Sequence, residues 1–267
     1  APNSTTIRST SGNIAISAGQ DASIGVSLNS TTNANVLAGG NLTISPVNIS
    51  VAEASPNMAG NLNLQANNVT LNTDLTVNGT ANVTTTAGDL AIVLGSPNLT
   101  VGNLSLNSAR NLTIQGTAQT GMVNISTNVL NLTAANDLAI QGRYGLNVTS
   151  NTTADLTAGR NLSVQYYNPS FAGGSNPRRV MALTATGDVN LSAGNNLVFA
   201  TNNSADGLDV TPNVTTINSQ NGSIAVSAGQ DASIGVSLNS SKNANVVAGR
   251  NLTIKPSSIS VAEASPT

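Results

Sequence analysis

A short phrase recurs along nearly the whole chain and constrains the fold more than any other feature of its 267 residues. Each copy alternates apolar and polar residues after a turn-forming pair, as in GNLTI at 40–44 and RNLTI at 110–114. The other copies begin at residues 60, 88, 136, 160, 187 and 250. Alternation over four to six residues predicts a short β-strand with one buried face. The pattern therefore predicts an all-β chain.

The spacing of the phrases predicts how these strands are arranged. Asp21, Asn41 and Asn61 follow one another at equal intervals, which are too short for a strand–helix–strand unit. Intervals of this size predict a parallel β-solenoid with coils of about 20 residues, each stacked on the next. Stacked strands lie about 4.8 Å apart. We expect asparagine and serine at corresponding turns to form hydrogen-bonded ladders along the stack.

A second, longer repeat divides the chain. Residues 1–57 recur as residues 211–267, with 42 of 57 positions identical. The chain is therefore interpreted as one 210-residue solenoid unit, residues 1–210, followed by the start of a near-identical unit, residues 211–267. With about 20 residues per coil, one unit would advance about 50 Å along the solenoid axis. We expect further repeats, or further copies of the chain, to continue it end to end.

Composition argues against most kinds of chemistry. The chain has no His, Cys or Trp, 7% charged residues and a net charge of −2. It therefore offers neither the usual general base nor a thiolate metal site. The near-neutral charge gives no footprint for nucleic acid, and no apolar run approaches the length of a membrane span. We expect no enzyme activity, no cofactor and no metal site.

The carboxylates are the remaining candidates for catalysis or metal binding. Five of them stand singly at the starts of predicted strands, where asparagine stands in other copies: Asp21, Asp89, Asp137, Asp188 and Asp231. Exchange of Asp with Asn favours a turn-forming role, in which the side chain bonds the backbone. Asp206 and Asp209 form the closest pair, and a cation or catalytic site there is the alternative.

One segment, residues 165–179, breaks the pattern and is predicted to be a loop projecting from the solenoid wall. It is rich in aromatic residues and contains the only adjacent basic pair; the candidate binding residues are Tyr166, Tyr167, Phe171, Arg178 and Arg179. Tyr and Arg are favoured at interfaces, so the loop is a candidate site for glycans or a protein partner. A packed surface loop, or a contact between fibres, is the alternative interpretation.

Asn-x-Ser/Thr acceptor sequences are frequent. The candidates singled out for N-linked glycosylation are Asn41, Asn68, Asn98, Asn111, Asn131, Asn161 and Asn251. Dense N-glycosylation of the exposed surface is one interpretation. The other is that strand alternation itself places Asn and Thr outward around a buried Leu, and so generates acceptor sequences automatically.

The GNLTI phrase, together with SAGQD at 17–21, resembles the haemagglutinin repeats of filamentous haemagglutinin and related two-partner-secretion adhesins. The resemblance implies a right-handed parallel β-helix shaft, export across an outer membrane, and a role in adhesion or biofilm formation. The secretion domain of that family carries Asn-Pro-Asn-Leu motifs. The nearest phrase here is SPNL at 96–99, so the chain resembles the shaft of such proteins.

The sequence thus predicts a structural shaft segment of an extracellular or cell-surface filament or filamentous adhesin. A module that binds host or matrix glycans, or another partner, through residues 165–179 is the alternative. An enzyme acting on polysaccharide would require convergent carboxylates on adjacent coils. The dense acceptor sequences leave an archaeal surface filament open beside a bacterial adhesin.

Overall fold

The computed structural model describes residues 6–45, 57–58, 60–118, 122–142, 145–167, 180–202, 214–255 and 258–261. Within these ranges the chain forms strands and turns, without a helix. The strands are β1 (Thr6–Ser9), β2 (Ile14–Ala18), β3 (Ala22–Ile24), β4 (Ser27–Ser30), β5 (Ala34–Ala38), β6 (Asn41–Ile44), β7 (Asn57–Met58), β8 (Leu62–Ala66), β9 (Asn68–Leu71), β10 (Leu75–Thr85), β11 (Leu90–Leu94), β12 (Asn98–Ser108), β13 (Leu112–Gly116), β14 (Met122–Ala134), β15 (Leu138–Gly142), β16 (Gly145–Ser150), β17 (Ala154–Ala158), β18 (Leu162–Tyr167), β19 (Val180–Ala185), β20 (Val189–Ala193), β21 (Leu197–Asn202), β22 (Val214–Ser219), β23 (Ile224–Ala228), β24 (Ala232–Ile234), β25 (Ser237–Ser240), β26 (Ala244–Ala248), β27 (Leu252–Ile254) and β28 (Ile259–Val261).

The strands stack in parallel to form three faces of a β-solenoid, as the phrase pattern predicts. The first face contains β1, β4, β7, β16, β19, β22, β25 and β28, and the second contains β2, β5, β8, β17, β20, β23 and β26. Strands β10, β12 and β14 run across the corner between these faces and contribute one half to each. The third face is a separate sheet of ten strands: β3, β6, β9, β11, β13, β15, β18, β21, β24 and β27.

The coils are longer on average than the spacing of the phrases predicts. They number about nine and average about 24 residues. Third-face register pairs Ala22 with Leu42 but pairs Leu162 with Leu197, so the second of these coils is much longer than the first. Eight steps on this face separate Ala22 from Ala232, its equivalent in the second repeat copy. At about 4.8 Å per step, the repeat advances about 38 Å and not about 50 Å.

The core is a stack of aliphatic side chains that point inward from all three faces. On the third face, Leu42, Leu90, Leu112 and Leu138 occupy one row and are completely buried. Each inward residue therefore lies on similar residues in the coils before and after it. Because an aliphatic column fills a narrow interior at close to crystal density, the core needs few aromatic side chains. Phe199 is the buried aromatic residue among the described side chains.

Buried hydroxyl groups stabilise the corners between faces, a feature that was not predicted from the sequence. Ser108 Oγ donates to the carbonyl oxygens of Gly88 and Asn111, at 3.2 and 2.8 Å. Ser150 Oγ and Ser240 Oγ make equivalent pairs of bonds at other corners. Both carbonyls also accept a backbone N–H, from Arg110 and Leu90 respectively, so the hydroxyl binds carbonyls that are already hydrogen-bonded. A buried hydroxyl without a partner would cost free energy, and these contacts therefore allow serine to be buried at the corners.

Close packing at one corner also requires glycine. The amide of Gly194 donates to the carbonyl oxygen of Ala158 in the preceding coil, at 3.0 Å. A Cβ atom at Gly194 would collide with the carbonyl oxygen of Gly159. The corner therefore depends on residues without a side chain at positions where successive backbones approach closely.

The two copies of the long repeat fold alike but are covered differently. Strands β1 to β6 and β22 to β27 occupy equivalent positions in the two copies. Leu42 is completely buried because Val69 of β9 lies over it, whereas its equivalent Leu252 is 45% exposed. At the opposite end, Ile7 is 41% exposed, whereas its equivalent Ile217 lies on Leu183 and is completely buried. The described solenoid thus has two open ends.

Replacing one core leucine tests the stacked core directly. We expect Leu112→Ala to lower the free energy of unfolding by about 2–5 kcal/mol, because it leaves a cavity between β11 and β15. The matched control, Thr113→Ala, changes the outward neighbour and should cost less than about 0.5 kcal/mol. Urea unfolding followed by circular dichroism measures both. Equal losses for the two variants would contradict the assignment of inward and outward faces.

Candidate functional site

A ladder of asparagine and aspartate side chains runs along the corner where the third face begins. The Oδ1 atom of each member except the last, Asn251, accepts a hydrogen bond from the member one coil later. For example, Asp89 Oδ1 accepts from the backbone N–H and Nδ2 of Asn111, at 3.0 and 2.9 Å. The ten members are Asp21, Asn41, Asn68, Asp89, Asn111, Asp137, Asn161, Asn196, Asp231 and Asn251. The predicted ladder is therefore confirmed for asparagine, with aspartate and not serine as its other member.

The order of Asn and Asp in this ladder follows from their hydrogen-bonding capacity. A carboxylate only accepts, whereas an amide both accepts and donates. Each Asp of this ladder is followed one coil later by an Asn, which donates both its backbone N–H and its side-chain Nδ2 to the carboxylate. No two aspartates are adjacent among these ten members, so like charges are never one coil apart. The exchange of Asp and Asn seen in the sequence is thus restricted by position along the stack.

Two details of the predicted turn role are corrected by the structure. The aspartates bond the backbone of the next coil rather than that of their own turn, and Asp188 does the same through the N–H of Ser223, at 2.8 Å. The even spacing of the first phrases is also misleading after Asn41. Asn68 and not Asn61 lies over Asn41, because that coil is longer than the one before it. Asn61 belongs to another corner, where its N–H donates to Asn33 Oδ1 at 3.2 Å.

Arginines pair with two of the ladder carboxylates. Arg160 Nη2 lies 2.6 Å from Asp137 Oδ2, and Arg250 Nη2 lies 2.8 Å from Asp231 Oδ2. Partial burial acts to raise the pKa of Asp231, but hydrogen bonds from Arg250 and Asn251, with the charge of Arg250, outweigh it and lower this pKa. Both ion pairs are half-exposed, so each contributes little stability by itself.

The candidate glycosylation residues fall into two structural groups. Five are ladder members, and their Nδ2 groups donate to the preceding coil; they are Asn41, Asn68, Asn111, Asn161 and Asn251. Two others lie on strands. Asn98 Nδ2 donates to the carbonyl of Ser96 at 2.9 Å, and exposed Asn131 accepts from Thr133 Oγ1 at 3.3 Å. An N-linked sugar replaces only one of the two hydrogens on Nδ2, so these hydrogen bonds do not rule out glycosylation. It stays a prediction for both groups.

The candidate binding loop is only partly within the described residues. Strand β18 continues to Tyr167 and pairs with β21 through Tyr166–Thr201 and Tyr167–Asn202. Residues 165–167 therefore belong to the solenoid wall and not to a loop. Phe171, Arg178 and Arg179 lie outside the described residues, as do Asp206 and Asp209. Their proposed binding roles stay predictions.

A shallow groove on the second face was not predicted from the sequence. It has a volume of about 480 Å³ and crosses four coils, from β2 to β10. Its floor carries a row of amides, in which Asn63 Nδ2 donates to Asn35 Oδ1 at 2.8 Å and Asn82 Nδ2 donates to Asn63 Oδ1 at 3.0 Å. Leu37 lies beside this row and is 48% exposed. The sequence carries one signal for this groove: position 37 is apolar in both repeat copies, as Leu37 in the first and Val247 in the second.

Among the described residues, no cluster of three or more Asp or Glu side chains is placed to hold a metal ion. None of the described segments is a helix that could span a membrane. Comparison with protein-family models, with curated proteins and with solved structures finds no match.

The order of Asn and Asp in the ladder can be tested by one substitution. Asn111→Asp would place three carboxylates on successive coils, at 89, 111 and 137, and would remove the amide donor to Asp89. We expect a loss of about 1–2 kcal/mol in the free energy of unfolding at pH 7. Asp89→Asn is the control, since it keeps the acceptor, and little change is expected in chemical unfolding.

The ion pair at Asp231 makes a prediction about pH. Because the pKa of Asp231 is lowered in the folded state, its contribution to stability is complete above the unfolded pKa of about 3.9. That contribution is lost as the pH falls through the folded pKa. Carboxyl NMR titration should show this low pKa, and Arg250→Met should raise it towards the ordinary value. An unchanged pKa in the Arg250→Met variant would exclude Arg250 as a cause.

Proposed function

We propose that this chain is a structural shaft segment of an extracellular filament or filamentous adhesin, built from tandem 210-residue solenoid repeats. In this role it supplies length, stiffness and surface for display at the cell surface. Cell adhesion and the formation of a biofilm or matrix are the processes that such a shaft would serve.

The difference in burial between equivalent residues of the two repeat copies carries this proposal. The coil that contains β9 covers Leu42, and the coil that contains β19 covers Ile217. Leu252 and Ile7, at the open ends, lack these neighbours. Another repeat after the second copy would supply a β9-type coil over Leu252, and another before the first would supply a β19-type coil beneath Ile7. The repeat thus contains the coils that its own ends require.

The distribution of polar groups also supports a shaft. A solenoid has unpaired strand edges only at its ends, and the ladders along its corners connect each coil to the next. Stability then grows with the number of stacked coils, as in other linear repeat proteins. The described residues offer hydrogen-bonded amides and paired carboxylates along this corner, and such an arrangement suits stiffness better than catalysis.

The resemblance of the GNLTI and SAGQD phrases to haemagglutinin repeats supports the adhesin part of the proposal. Filamentous haemagglutinin-like proteins have long solenoid shafts, and the parallel solenoid found here is consistent with such a shaft. We therefore favour a secreted, surface-exposed filament over a free binding module.

Lengthening the chain by one repeat tests the shaft directly. Adding residues 58–267 after residue 267 gives a tandem chain, and we expect the particle to lengthen by about 38 Å, from eight additional coils. Negative-stain electron microscopy and small-angle scattering measure this length. The added coils should also raise the urea midpoint of unfolding, because they cover the end around Leu252.

The control has the same added residues in an order that breaks the coil register, with residues 135–267 preceding residues 58–134. This chain should form a jointed particle that exposes additional ends. If the tandem chain behaves as two independent bodies, or does not lengthen, the continuous shaft is wrong.

A further inference from the structure

We infer that the second-face groove around Leu37 is a lateral contact site for a second copy of this solenoid. The inference concerns how shafts associate side by side, which the proposed shaft role does not require. It begins from the exposed large apolar residues among those described. Five of the six lie on terminal strands at the open ends: Ile7, Val247, Leu252, Ile259 and Val261.

The remaining one, Leu37, needs another explanation. It points outward from β5 with 48% of its surface exposed, and its equivalent in the second repeat copy, Val247, points outward from β26. Leu37 lies in a coil with neighbours on both sides, so the open end does not account for its exposure. Aliphatic character at this outward position is kept in both copies although the residue itself differs.

The surroundings of Leu37 favour a self-complementary partner. Ser17, Gln65 and Thr84 line the groove together with the amides of Asn35, Asn63 and Asn82. Amides and hydroxyls both donate and accept, so the patch can face an identical patch without repulsion. A symmetric pair requires this property, because each surface then meets itself. The nearest outward charge on the described second-face strands is Asp155, on β17, five coils away from β5.

The periodicity of the site favours a solenoid as its partner. One exposed leucine cannot offset the entropy lost when two proteins associate. In a tandem shaft, however, the site recurs every eight coils, about 38 Å apart. If two shafts lie antiparallel and are related by a two-fold axis through one pair of facing grooves, every other groove also faces a groove of the partner shaft. Contacts that are weak singly then act together. A partner without this period would meet only one site at a time.

Among the described residues one groove is complete, since Val247 lies on the terminal strand of the second face. The 267-residue protein should therefore form only a weak symmetric dimer, in exchange with the monomer, which a crosslinker can trap. The protein has no cysteine, so a single introduced cysteine reports contacts without interference. Gln65→Cys places a thiol beside Leu37, and Thr100→Cys is the matched control, also exposed but on the first face.

We expect a short bismaleimide to crosslink the Gln65→Cys protein into dimers and to leave the Thr100→Cys protein largely monomeric. Adding Leu37→Lys should reduce the dimer yield by about tenfold or more, because an unpaired charge would be buried in the contact. Leu37→Val, the residue of the second repeat copy, should keep the dimer. Unchanged circular dichroism and unfolding midpoints establish that the variants are folded.

Equal crosslinking at residues 65 and 100, or a yield that does not respond to Leu37→Lys, would overturn the lateral contact. Crosslinking through neither position, while the tandem chain still lengthens, would overturn it and leave the shaft standing. Dimers joined only through their open ends would be insensitive to residue 37 and would count against the inference.

Discussion

The fold depends on each coil being completed by its neighbours. Parallel stacking at about 4.8 Å pairs the backbone of one coil with that of the next, and it is also what closes the core over each inward side chain. Leu42 is covered by the following coil, and Ile217 by the preceding one. A single coil can neither bury its apolar row nor satisfy its polar edges. Length is therefore a condition of stability in this architecture.

The corners show how polar groups are accommodated under this constraint. Outside, Asn and Asp form a directional ladder in which every described carboxylate meets amide donors from the next coil. Inside, buried hydroxyls such as Ser108 Oγ donate to carbonyls of the corners. The small set of residue types in the chain follows from these tasks: aliphatic residues fill the column, Asn and Asp link the coils, and Ser, Thr and Gly fit the corners.

A shaft of this kind has two distinct surfaces for association. Its ends expose apolar rows and strand edges, which favour extension along the axis by further coils. Its walls are almost uncharged and hydrogen-bonded within themselves, so they offer little for binding except where an apolar residue such as Leu37 stands out. Extension follows from incomplete coils, whereas lateral contact follows from a recurring position on one face. The two modes can therefore be altered independently.

Much of the local structure followed from the sequence. Alternation around residues such as Leu42, Leu90 and Leu112 located strands and their buried sides correctly, because one side of each strand must be apolar in any solenoid. Asn–Asp exchange likewise indicated the ladder. Coil length was less predictable, since turns between strands tolerate extra residues without changing the phrases. The expected coils were therefore too short on average, and the expected rise of one repeat unit was too large.

The sequence by itself determined that strands form, which side chains point inward, and that the chain contains a long repeat. Only the tertiary structure decided which phrases share a face. The phrase at 60–64 enters the second face and that at 88–92 the third, although their patterns are alike. Only stacking distinguished Asn68 from Asn61 as the partner of Asn41. The physical reason is that alternation encodes inward and outward for one strand, whereas register is set by contacts between residues that lie a whole coil apart in the chain.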